Sequence, residues 1–162
     1  EKMNPTIRSK IIFGISAIMK QVHHHNLIHR NLQPKCIFLD DNLEPQINNF
    51  GMHFSKIAGH LQIGFPYFWS PEFFIDAEYD SSTDVYSFAF ILYSMFSNEI
   101  KFDHPGQIST RYQLKKIISE GKRLIRPNSI PDCYWELICK CWEHNPEKRP
   151  TFDEITEILK ND

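Results

Sequence analysis

A chain of 162 residues, 41% hydrophobic and 23% charged, is long enough for one domain to bury a single core and has the composition of an ordinary globular protein. Its formal net charge of −2 gives no electrostatic reason to expect nucleic acid or an anionic membrane as a partner. No run approaches the ~18 apolar residues of a spanning helix, the N-terminus has no signal-peptide core, and a start at Glu1 rather than methionine leads us to expect a piece of a longer protein.

In chain order, Ile7, Ile11, Ile15, Ile18 and Val22 recur at three- and four-residue steps and predict a long amphipathic helix that ends around His25–Asn26. The triplet His23, His24 and His25 reads as the solvated end of that helix rather than a metal site. Leu27-Ile28 and Cys36-Ile37-Phe38-Leu39 are short apolar segments separated by a loop at Pro34. Asp40-Asp41-Asn42 is a turn signal, and Pro45-Gln46-Ile47 leads to a further short strand. From Asn49 to Pro71 no period emerges, and a long loop in a compact domain is more often functional than not.

Ser81 or Ser82 is expected to cap the next helix, which carries Val85, Phe88, Leu92 and Met95 at core spacing. That helix is apolar nearly all round and should be buried. Leu114, Ile117 and Ile118 mark another helix after a loop at 98–106, and Gly121, Pro127 and Pro131 bracket a connector. Helices follow at roughly 132–143 and 152–160. The four cysteines (Cys36, Cys133, Cys139 and Cys141) are too few and too irregular for a disulfide framework, so a reducing, intracellular compartment is expected. The Cys139-x-Cys141 spacing does not suit structural zinc, and both thiols are expected to be buried. The expected fold is mainly α with a small β component, in one domain over 1–162.

Between His29 and Gly51 the chain reads HRNLQPKCIFLDDNLEPQINNFG. This resembles the catalytic segment of eukaryotic protein kinases, HRDLKPxN followed by a short strand pair and DFG. Three more stretches sit in family order: GFPYFWSPE (Gly64 to Glu72), DVYSFAFILYSM (Asp84 to Met95) and CWEHNPEKRPTFDEI (Cys141 to Ile155). Together they resemble the C-terminal lobe of tyrosine kinases and tyrosine-kinase-like kinases over nearly the whole chain. The N-terminal lobe, with its glycine-rich loop and strand lysine, is absent from these 162 residues.

The resemblance implies chemistry that four substitutions remove. Asn31 stands in place of the catalytic aspartate and faces the cleft in the family arrangement, but an amide cannot take up a proton. Gln33 replaces the lysine that steadies the transferring phosphoryl group. Cys36 and Asn49 occupy the two magnesium positions, where a thiol and a neutral amide are poor hosts for a hard cation. Ile37 and Leu39 correspond to adenine-side positions.

What is kept is structural by the same resemblance. His29 and Phe50 match residues that stack in an internal apolar spine, with Gly51 after them. Asp84 matches the aspartate that hydrogen-bonds the catalytic loop. Glu72 and Arg149 match a buried ion pair. Arg30 is expected to act as a structural donor, because no Ser, Thr or Tyr lies between Lys56 and Pro66. Phe68 and Trp69 are expected in the core, with Phe65, Phe73 and Phe74 left open.

The implied function is a pseudokinase lobe that binds or scaffolds other proteins in signalling, such as an active kinase or its substrate. Nucleic acid and membrane are not expected as partners, no cofactor is expected, and the location would be cytoplasmic. The alternative is a divergent Ser/Thr or Tyr kinase of low activity, using ATP and magnesium, with its N-lobe upstream. A decayed product without function is a third possibility.

Overall fold

The computed structural model describes residues 3–50, 67–75, 80–106 and 108–161. Gly51, Phe65 and most of the expected Asn49–Pro71 loop, residues 51–66, lie outside the described residues. The first element is α1 (Pro5–His24), with Pro5 in the first turn and the Asn4 side chain accepting from the Thr6 amide at 2.8 Å. It ends where Asn26 turns into the left-handed region, φ 56°. The face it buries is Ile11, Ile12, Ile15, Ser16 and Met19, a stripe rotated slightly from the one the isoleucines alone suggest.

A short 3-10 turn, Pro34–Cys36, leads to β1 (Ile37–Leu39), which pairs antiparallel with β2 (Pro45–Ile47). The register sets Ile37 opposite Ile47 and Leu39 opposite Pro45. Asp40 builds the connecting turn by accepting from the amides of Asn42 and Glu44. The hairpin rests on α1, and the contact is close. A Cβ at Gly14 would lie 2.5 Å from Cγ of Pro45, so only glycine fits there.

After a second 3-10 turn (Pro71–Ile75) comes α2 (Ser81–Ser94). Its cap is Asp80, which accepts from the Ser82 amide at 2.8 Å, rather than either of the expected serines. An aspartate one position earlier also places a negative charge at the helix N-terminus. Thr83 through Tyr93 are all buried, so α2 is the central post of the lobe. Next come α3 (Arg111–Ser119), with a capping box between Thr110 and Gln113, then α4 (Asp132–Cys141) and α5 (Phe152–Lys160), with a second box between Thr151 and Glu154.

α5 packs along α1, α4 along α2, and α3 against the Pro71–Ile75 turn. The core runs continuously from Ile12 and Met19 through Phe88 and Leu92 to Leu137 and Ile155. Phe68 and Trp69 are buried in it, while Phe73 and Phe74 are half-buried. Of the cysteines expected to be buried, Cys141 is, but Cys139 is exposed on the outer face of α4. Residues two apart on a helix point to nearly opposite faces, and position 139 falls on the solvent side. Among the described residues, no helix is long and apolar enough to cross a membrane.

Candidate functional site

Asp84, in the first turn of α2 and wholly buried, organises the segment that follows α1. Its carboxylate accepts from the backbone amides of His29 at 2.8 Å and Arg30 at 2.9 Å. It also accepts from Nε2 of His23 at 2.9 Å. Arg30 sits at φ 67°, a conformation that costs a non-glycine residue roughly 1–2 kcal/mol, and these bonds hold it there. His23 is therefore not part of a solvated helix end. It continues the Ile12, Ser16, Met19 stripe at helical spacing, which is the signal that could have placed it in the interior.

His29 is fully buried and bridges two strands of chain. Its Nδ1 accepts from the Asn31 amide at 3.3 Å and its Nε2 meets the Asn48 carbonyl oxygen at 3.0 Å. Those partners fix the neutral tautomer with the proton on Nε2. Its ring lies against Phe50, with centroids 4.6 Å apart. Phe50 is 43% exposed, so the described residues cover one face of that stack and leave Phe50 short of an internal position.

The four substituted positions lie together. Asn31 is 1% exposed and Gln33 5%. Nε2 of Gln33 donates to Oδ1 of Asn31 at 2.6 Å, whereas Nδ2 of Asn31 has no partner. Asn31 is thus enclosed, not turned to an open cleft as expected, and Gln33 folds back from within the loop to meet its side-chain oxygen. Cys36 is fully buried and its thiol donates to the Asn31 carbonyl at 3.3 Å. Burial pushes the Cys36 thiol above its usual pKa, partly offset by the Asn49 side chain beside it and the charge of Lys35. Asn49 is exposed and sits at φ 62°, a region asparagine tolerates.

This donor set does not fit magnesium. The thiol stays protonated, Asn49 offers a neutral oxygen, and both oxygens of Asp84 are already committed. Strand alternation turns Ile37 and Leu39 to the same face as Pro45, which leans on α1. The opposite face carries Phe38, 51% exposed.

The second tie joins the Pro71–Ile75 turn to the segment before α5. Arg149 meets both oxygens of Glu72 in a fork, at 2.5 and 2.9 Å. Its remaining N–H groups reach the carbonyls of Glu143, Ser82 and His144, so every donor of the guanidinium is used. The guanidinium also lies 4.9 Å from the centre of the buried Tyr86 ring. Burial alone would raise the Glu72 carboxyl, but the hydrogen bond and charge of Arg149 hold it below the ordinary value.

The sequence matches the family model for protein tyrosine and serine/threonine kinases over residues 1–159. It is 34% identical over 139 residues to a probable serine/threonine-protein kinase of Dictyostelium discoideum, covering 83% of this chain and 15% of that protein. To the dual specificity protein kinase pyk3 of the same organism it is 32% identical over 164 aligned positions, covering 98% and 12%. To the human cytoplasmic tyrosine-protein kinase BMX it is 28% identical over 163, covering 98% and 24%. The chain spans 12% to 24% of the length of these relatives. With the kinase-type loop, the buried helix and the Glu72–Arg149 tie all in place on a mainly helical lobe, the chain belongs to the protein tyrosine and serine/threonine kinase family.

Proposed function

We propose that the chain is a pseudokinase C-lobe that serves in signalling as a binding or scaffolding module for other proteins, such as an active kinase or its substrate. The observation that carries this reading is the buried amide pair of Asn31 and Gln33, standing where the family has a proton acceptor and a fixed cation. General-base assistance is worth ~10²–10⁴-fold, and an amide does not supply it. Losses within one catalytic unit do not add, but with phosphoryl stabilisation and metal sites also neutralised little activity should remain. No cofactor is needed for the proposed role, and its setting is the cytoplasm, with neither nucleic acid nor membrane as partner. The exposed apolar side chains Phe38, Leu39 and Leu43 on the hairpin offer contact area for another protein surface.

The names of the relatives favour the second reading, a divergent kinase of low activity that uses ATP and magnesium with an N-lobe upstream. A phosphotransfer assay on the full-length protein separates the two. On the pseudokinase reading, phosphate incorporation does not exceed that of the Asn31→Ala variant, and any thermal stabilisation by ATP is small and the same with and without Mg²⁺. Robust incorporation that disappears on Asn31→Ala would overturn it.

A further inference from the structure

We propose that Asn31 and Gln33 form a matched neutral latch: the Gln33 amide fills the side-chain acceptor of Asn31, so the two substitutions are energetically coupled and the loop closes on itself. The bond is short, 2.6 Å, and both side chains are at least nine-tenths buried. The main chain of Asn31 is engaged as well, its amide with His29 and its carbonyl with the Cys36 thiol. Every one of these partners is neutral. Asp84, the buried carboxylate of this region, spends its oxygens on backbone amides and His23, and leaves none for a cation at position 33.

In such a site the mixed states are worse than either matched state. A carboxylate at position 31 opposite Gln33 is a buried charge with only a dipole to meet it, and an ammonium at position 33 opposite Asn31 is the converse. Changing both restores a pair of opposite charges on the same geometry. Two substitutions accumulated independently would show no such preference. The latch also occupies the oxygen that an incoming hydroxyl would need, so closure of the site is a property of Gln33 as much as of Asn31. This holds whatever the lobe binds, and its test does not involve phosphoryl transfer.

A double-mutant cycle on the full chain tests it, with Asn31→Asp, Gln33→Lys and the double variant melted at neutral pH. Each single variant is expected to melt at least ~6 °C below the parent and the double variant to recover most of that loss. A double variant whose shift equals the sum of the two singles overturns the proposal. Where a charged single variant does not fold, a neutral cycle serves. Gln33→Met should lower the melting temperature in the parent and leave it unchanged in an Asn31→Leu background. An equal loss in both backgrounds refutes the coupling.

Discussion

Replacing Arg149 with alanine is the sharpest test of how this lobe is held together. The substitution removes a bidentate bond to Glu72 and strands that carboxylate in a site only 8% exposed. Breaking a buried pair in this way typically costs ~3–5 kcal/mol. Three backbone carbonyls, those of Ser82, Glu143 and His144, lose a donor at the same time. Even if water reaches two of them, the third adds ~1–3 kcal/mol, against a total domain stability of ~5–15 kcal/mol. Arg149→Ala should therefore be largely unfolded or melt at much lower denaturant. Arg149→Lys should fall between, because an ammonium keeps the charge but not the fork. Lys148→Ala, one residue away and exposed, should stay within ~0.5 kcal/mol of the parent. Urea unfolding of the three variants beside the parent gives the comparison. An Arg149→Ala midpoint equal to that of the parent would mean that the tie contributes nothing and that the reasoning is wrong.

Two further outcomes follow from the same region. Because the Glu72 carboxyl is lowered in the folded chain, the unfolded chain binds its proton first as pH falls. The stabilisation is present above the unfolded value of ~4.3 and is lost as pH drops through the folded one, so Glu72→Gln should flatten the acid limb of a stability–pH curve. An unchanged acid limb would remove Glu72 from the account. Tyr86 is buried with its hydroxyl unpartnered and its pKa pushed up to about 12 by burial. Tyr86→Phe should thus leave stability equal or up to ~1 kcal/mol higher, measured by the same urea titration, and a clear loss would reveal a partner for that hydroxyl.

The sequence made the helices legible because their periods are long and their ends are marked. Pro5, Thr110 and Thr151 start helices with local chemistry that needs no tertiary partner, a signal that the apolar spacing alone did not use. Asp80 was missed in favour of the adjacent serines, since three candidate caps in a row differ only in which one adopts the extended conformation. At the site, the family pattern located Asn31, Gln33, Cys36 and Asn49, but spacing carries no information on solvent access. That Asn31 is enclosed depends on Gln33 folding back onto it, a contact between side chains two residues apart that no periodicity encodes. His23 failed for a related reason. Three consecutive histidines look like surface, although the first continues the buried stripe of α1 and meets the buried Asp84.

The contact between Gly14 and Pro45 has a reach beyond the residues that make it. β2 runs from Pro45 into Asn48, whose carbonyl holds His29, and on to Asn49 beside the Cys36 sulfur. How closely the hairpin nests on α1 therefore fixes the spacing between the loop that carries Asn31 and the segment that carries Asn49. A missing methyl group in the middle of a helix works as a spacer for the site, and its neighbours inherit their alignment from a gap rather than from a bond.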